Sequence, residues 1–112
     1  MELTDRSRAG VKILALEGSF DTYTAEPIRR WLEEATRSAP AHVVVNLAQV
    51  EFMDSTALST LVQGMKRARE KGGELHLCGL QSPVRLIFEL TRLDRVFEIF
   101  VAEEDAVQAF AG

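Results

Sequence analysis

The order of hydrophobic and polar positions along the chain predicts five strands. Three runs are apolar on both faces or rich in β-branched residues, as buried strands of parallel sheets are; they are residues 11–16, 43–47 and 74–78. The polar segment 3–8 is predicted as an edge strand, because its pattern is weak and a turn at Ala9-Gly10 follows it. Residues 96–100 are predicted as the last strand.

Apolar side chains at helical spacing fill the segments between these strands. The first predicted helix has an apolar face made of Ile28, Trp31, Leu32 and Ala35. The second has a face made of Leu58, Leu61, Val62 and Met65. The third presents Val84, Ile87 and Phe88, with Leu86 and Leu90 beside them. A short fourth helix is predicted to begin at the acidic residues 103–105, which suit the positive end of a helix dipole.

Helices between buried strands imply parallel pairing through right-handed crossovers. We therefore predict an α/β fold, in which a mixed sheet of four or five strands packs with four helices. Residues 18–21 are expected to form a loop and residues 49–53 a short connection. Ser82 is expected to cap the third helix, with Pro83 as its first residue.

Composition is that of a folded domain and excludes several classes of protein. The chain has 112 residues, of which 46% are hydrophobic and 27% charged, so we predict one domain over residues 1–112. A net charge of −4 argues against a general nucleic-acid binder. Cys78 is the only cysteine, which excludes an internal disulfide and is typical of a reducing compartment; we expect a cytoplasmic location. No apolar run reaches the ~18 residues that a membrane span needs.

A cluster of hydroxyl-bearing residues begins the second predicted helix. It consists of Asp54, Ser55 and Thr56, followed by Ser59 and Thr60. One interpretation is helix capping, since these side chains accept hydrogen bonds from the first N–H groups of a helix. The other is a regulated hydroxyl, since a phosphate on Ser55 would suit the helix N-terminus and add about −1.5 to −2 of charge. The two interpretations are compatible.

Catalysis is not predicted. A serine nucleophile needs a nearby base, and the strand positions of His42 and His76 do not place either histidine beside Ser55. Asp21 and Asp54 could be taken for a carboxylate pair, but without geometry they support no hydrolytic role. No metal-binding or nucleotide-binding motif is present, and we predict neither a metal site nor a cofactor.

Two segments resemble the central motif of bacterial anti-sigma factor antagonists, which are single-domain members of the STAS family. They are residues 43–47, Val-Val-Val-Asn-Leu, and residues 52–58, Phe-Met-Asp-Ser-Thr-Ala-Leu. Residues 18–21 (Gly-Ser-Phe-Asp), 72–78 and 82–84 are similar to further pieces of the family pattern. The resemblance extends from about residue 11 to residue 110 and implies the same mixed sheet with helices.

The resemblance also implies a function and its residues. Such proteins bind an anti-sigma factor that is a serine kinase and so release a sigma factor. The kinase phosphorylates the serine that corresponds to Ser55, the phosphorylated form dissociates, and a phosphatase restores it. Thr56 is a second candidate acceptor. The residues that this resemblance implies at the partner surface are Asp21, Asp54, Ser55, Thr56, Ala57 and Ser59.

Ala57 departs from the family pattern, because many members have glycine there. The added methyl group changes the close approach of a partner backbone and, with it, the fit to a particular kinase. A monomer or weak dimer is expected. Two alternatives stay open: a non-phosphorylated accessory or scaffold subunit of a signalling complex or lipid transporter, and a small enzyme or nucleotide-binding domain.

Overall fold

One five-stranded sheet runs through the computed structural model, which describes residues 1–111. Its strands are β1 (Glu2–Arg8), β2 (Val11–Phe20), β3 (His42–Met53), β4 (Glu74–Cys78) and β5 (Glu98–Phe100). They lie in chain order across the sheet; β1 is antiparallel to β2, and all other neighbours are parallel. The predicted mixed sheet is confirmed, with the fifth strand present.

Four α-helices connect and cover these strands. They are α1 (Ala25–Ala35), α2 (Ser55–Glu70), α3 (Ser82–Leu90) and α4 (Glu103–Gln108), and a 3-10 turn at Leu93–Arg95 precedes β5. Apolar residues of α1, α2 and α3 pack on one face of the sheet in a single large cluster. On the other face, Ala106 and Val107 of α4 pack on a smaller cluster with Val11, Ile13 and Val44. The predicted α/β class with four helices is therefore confirmed.

Strands β2 and β3 are longer than the sequence pattern predicts. The expected loop at 18–21 is wrong over residues 18–20, and the expected connection at 49–53 is wrong, because both segments continue their strands. Residues 17–20 pair with residues 49–53 beyond the last residue of β4, with register shifts on the way. Buried Phe20, Val50 and Met53 hold this β2–β3 extension (residues 17–20 and 49–53) against the helices.

Several predicted ends and faces also differ. Gln81, not Ser82, is the N-cap of α3, and Pro83 is its second residue. Strand β5 begins two residues later than predicted. Trp31 is only partly buried against the core, and Leu86 and Leu90 are exposed. Residues Ala57, Thr60, Gly64 and Ala68 join Leu61 and Met65 on the buried face of α2, while Leu58 and Val62 lie at its margin.

Candidate functional site

The site lies where β3 passes directly into α2. Asp54 is the N-cap of α2 and has extended backbone angles, with φ −110° and ψ −174°. Its Oδ1 accepts a hydrogen bond from the Ala57 N–H at 3.0 Å, which pairs one of the N–H groups that a helix start leaves open. The capping interpretation of Asp54 is thus confirmed.

The loop between β2 and α1 is attached to the start of α2 through Thr22. The backbone N–H and the hydroxyl of Thr22 both donate to Asp54 Oδ2, at 3.0 and 3.1 Å. The Thr22 hydroxyl also lies 3.0 Å from the hydroxyl of Thr56. Because Asp54 N–H donates to the Phe20 carbonyl at 3.4 Å, the ends of the two strands are joined by backbone and side chain together.

These contacts keep Asp54 ionised. The N–H of Ala57 is the main cause of a lowered pKa for the Asp54 carboxyl, and the N–H and hydroxyl of Thr22 add to it. Desolvation acts in the opposite direction and is the weaker effect overall. A general acid needs a raised pKa, so the chemistry of Asp54 is that of a fixed negative charge.

Asp21 lies beside this network and has different partners. Its Oδ1 accepts from the Tyr23 N–H at 2.9 Å and lies 3.3 Å from the Thr24 hydroxyl oxygen. Thr24 in turn accepts from the Asp21 N–H and donates to the Ser19 carbonyl, so its side chain orders the loop and does not cap α1. The two carboxylates therefore flank the start of α2 but share no hydrogen-bond donor.

Four hydroxyl groups in the first turns of α2 have different surroundings. Ser55 is exposed, and its hydroxyl makes no hydrogen bond within residues 1–111. Thr56 is half-buried and hydrogen bonded to Thr22, while Thr60 is buried and donates to the Thr56 carbonyl at 2.8 Å. Ser59 is exposed one turn further along. Of the two predicted acceptors, Ser55 is the accessible one.

Ala57 lies beneath this surface. Its side chain is fully buried in the large core cluster, and its N–H is taken by Asp54. The other five predicted partner residues are exposed or half-buried; four of them lie where β2 and β3 end, and Ser59 lies one turn further along α2. Ala57 thus contributes to the site through its backbone.

Both histidines lie far from Ser55, on the face covered by α4. The ring of Phe110 stacks between them, with centroid distances of 4.5 Å to His42 and 3.9 Å to His76. Buried His76 also has its Nδ1 2.9 Å from the carbonyl oxygen of Ala106. Within residues 1–111 no histidine is placed to activate Ser55, and no group of three or more potential metal ligands occurs there.

Cys78 is buried in the sheet beneath α4. Burial is the main cause that raises the pKa of its thiol to about 12, and the nearby Glu103 carboxylate acts in the same direction. A thiol with this pKa is protonated and unreactive at neutral pH, so Cys78 serves as a small core residue.

Sequence patterns did not point to three residues around the start of α2. Thr22 and Tyr23 have no role in the sequence analysis, and Phe52 enters it only as a part of the family motif at residues 52–58. The proximity of Thr22 and Tyr23 to Asp54 depends on contacts between segments 32 to 34 residues apart, such as Thr22 with Asp54 and with Thr56. The periodicity within a single segment does not predict such long-range contacts. Only the family motif at residues 52–58, which includes Phe52, indicated that this region is functional.

Comparison with known proteins identifies the class. A family model described as the STAS domain matches residues 2–106 of this chain. The chain belongs to the STAS domain family, and the resemblance stated above is confirmed. No helix within residues 1–111 combines the length and the apolar character that crossing a membrane requires.

Individual relatives make the similarity more specific. The chain is 31% identical over 99 residues to the "Anti-sigma F factor antagonist" of Paenibacillus polymyxa, covering 88% of this chain and 85% of the relative. A solved anti-sigma-factor antagonist (STAS) domain protein from Planctomyces limnophilus superimposes with a TM-score of 0.90 at 24% identity, over 98% of both chains. The Bacillus cell fate determinant SpoIIAA in its phosphorylated form superimposes with a TM-score of 0.75 at 20% identity, over 97% and 99% of the two chains.

Proposed function

We propose that this protein is an anti-sigma factor antagonist that binds its anti-sigma factor while Ser55 is unphosphorylated. The observation that carries the proposal is the exposed Ser55 hydroxyl, without a partner in residues 1–111, at the first residue of α2 and beside the ionised Asp54. The names of the relatives support the first half of the proposal, and a SpoIIAA structure described as phosphorylated supports the second.

Ser55, and not Thr56, is the proposed phosphate acceptor. A kinase must bring the acceptor oxygen into line with the transferred phosphoryl group, so the hydroxyl has to be reachable. Ser55 meets this condition, whereas the Thr56 hydroxyl would first have to leave Thr22. The proposed partner is therefore an anti-sigma factor with serine kinase activity, and a phosphatase would reach phospho-Ser55 at the same exposed position.

The proposed switch acts through local charge. The start of α2 tolerates a phosphate, because N–H groups and the helix dipole favour an anion there. For a docked partner, the same group is a penalty: it adds about −1.5 to −2 of charge next to the Asp54 carboxylate and must lose water on binding. Docking would thus fail while the domain stays folded.

Binding of variants to a purified anti-sigma factor kinase from the same genome tests this function. Ser55→Ala should bind like the wild type and accept no phosphate, and Thr56→Ala should still be phosphorylated on Ser55. Ser55→Asp should bind at least about tenfold more weakly, as charge mismatches at interfaces do.

Ser82→Asp is the matched control, because Ser82 is also exposed and is also the first residue of a helix. It should bind like the wild type. Equal affinity of Ser55→Asp and the wild type, or no binding by the wild type at all, would refute the proposed function. Phosphate found on Thr56 in the wild type would refute the assignment of the acceptor.

A further inference from the structure

Two aromatic side chains are exposed beside the start of α2. Tyr23, next to the Thr22 that bonds Asp54, is 94% exposed, and Phe52, two residues before Asp54, is 50% exposed. Aromatic residues are enriched at the cores of protein interfaces, so exposed aromatic groups beside a candidate site are candidate partner contacts. Tyrosine is also over-represented among residues that dominate binding energy.

The exposure of Phe52 follows from the β2–β3 extension. Side chains alternate between the faces of a strand, and Phe20 and Met53 point to the helices α1 to α3. Phe52 and its cross-strand neighbour Ser19 therefore lie on the opposite face. On that face α4 packs over Val11, Ile13, Val44 and Cys78 and covers neither of them. The extension thus presents an uncovered strip of sheet.

The α-amino group of Met1 approaches Gly18 on the β2–β3 extension, and four acidic side chains lie along the extension and the segments that follow its two strands. These acidic residues are Glu17, Asp21, Glu51 and Asp54. None of the four forms an ion pair within residues 1–111; Glu51 accepts only from the Ser19 hydroxyl, at 3.2 Å. The basic residues of α2 lie at its other end, where Arg67 and Arg69 are paired with glutamates. The vicinity of Ser55 therefore carries two exposed aromatic side chains and carboxylates that form no ion pair within residues 1–111.

We propose that Tyr23 and Phe52 anchor the anti-sigma factor kinase, which must present an apolar pocket rimmed by lysine or arginine side chains. The inference rests on the proposed function, because a kinase that modifies Ser55 has to cover this surface. Carboxylates without an ion-pair partner favour a partner surface with basic side chains, and the two aromatic side chains need an apolar pocket on that surface.

This arrangement also explains how one phosphate could end binding to a basic partner. Ser55 lies directly after Asp54 at the start of α2, whereas Glu17 and Glu51 lie on the sheet face of the extension. A phosphate at Ser55 would be desolvated against the apolar pocket and would repel the Asp54 carboxylate.

Affinity measurements with the purified anti-sigma factor kinase test the anchors. Tyr23→Ala and Phe52→Ala should each weaken binding about tenfold or more, as loss of a hot-spot side chain does. Leu90→Ala is the matched control: Leu90 is 74% exposed on α3, and its truncation should leave the affinity within about twofold. Circular dichroism should show wild-type folding for all three variants, because each truncates an exposed side chain.

The charge of the partner has its own test. Glu17→Lys with Glu51→Lys should slow association at low salt, and the difference from the wild type should shrink as NaCl is added. Faster association of this variant would contradict the proposal that the partner surface is basic.

The outcomes separate the anchors from the proposed function. If Ser55→Asp loses binding but the double variant Tyr23→Ala with Phe52→Ala binds within twofold of the wild type, Tyr23 and Phe52 are not anchors. The proposed function would still stand. An equal loss for Leu90→Ala would also overturn the two anchors, because the effect would no longer be specific to this surface. If Ser55→Asp binds like the wild type, the proposed function itself fails.

Discussion

At the scale of single residues, Asp54 joins local structure to the site. Its two oxygens accept from separate elements, Oδ1 from Ala57 in α2 and Oδ2 from Thr22 in the preceding loop. The Asp54 carboxylate therefore caps α2 directly after β3 and also holds the loop that contains Tyr23. Because its pKa is lowered, it also supplies a permanent negative charge next to Ser55. A capping role and a functional role are thus combined in one side chain.

The lowered pKa of Asp54 predicts how stability depends on pH. A carboxyl whose folded pKa is below its unfolded value near 3.8 contributes stability above that pH, and the contribution is lost as pH falls through the folded pKa. Asp54→Asn has no such titration, so its loss of stability relative to the wild type should be largest at neutral pH and shrink below about pH 4. Urea unfolding at pH 7 and pH 3 measures this, and a constant difference between the two proteins would contradict it.

Among the helices and strands, those whose apolar pattern lies within one segment of the chain could be predicted from the sequence, and those that depend on pairing with a distant segment could not. The strands at 43–47 and 74–78 and the helix that begins at Ser55 were predicted, because continuous apolar runs and a 3.6-residue period are visible within a single segment. The extension was missed, because residues 17–20 contain glutamate, glycine and serine and become a strand only through pairing with residues 49–53.

The same contrast applies to the site. Asp54, Ser55 and Thr56 are contiguous, and their hydroxyl and carboxyl groups at a helix start could be recognised directly. Thr22 and Phe52 take their places from the pairing of β2 with β3, which a pattern within one segment does not report. Long-range pairing is therefore what the structure adds to the sequence motif.

The two glycines that follow α2, Gly72 and Gly73, are required for different reasons. A Cβ on Gly73 would lie 1.9 Å from the Ala41 carbonyl oxygen, where the chain enters β4. Gly72 has open space but a φ of +73°, which costs other residues about 1–2 kcal/mol. Gly73→Ala should therefore lower the free energy of unfolding by more than about 3 kcal/mol, and Gly72→Ala by less.

Chemical denaturation of the two variants at pH 7 compares them directly. Gly72→Ala controls for the loss of backbone freedom that both substitutions share. Equal destabilisation would mean that the approach of Gly73 to Ala41 imposes no constraint of its own.

For the domain as a whole, the charge added by phosphorylation of Ser55 would lie on the surface and outside the hydrophobic core. The net charge of −4 would become about −6 after one phosphorylation, a small change for the domain as a whole. The large core cluster lies between the sheet and α1 to α3, and Ser55 lies outside it. A switch at Ser55 therefore has to act on the surface and leave the core intact.

This separation predicts that Ser55→Asp changes binding but hardly changes stability. The new carboxylate would lie in the first turn of α2, where the helix dipole favours an anion by roughly 0.3–1 kcal/mol, and the neighbouring Asp54 carboxylate offsets part of that gain. The melting temperature should stay within a few degrees of the wild type, since about 1 kcal/mol corresponds to roughly 4 °C or somewhat more in a domain of this size. Thermal unfolding followed by circular dichroism measures this, with Ser82→Asp in parallel. A large drop for Ser55→Asp alone would mean that weaker binding reports unfolding, and a local electrostatic switch would then be the wrong explanation.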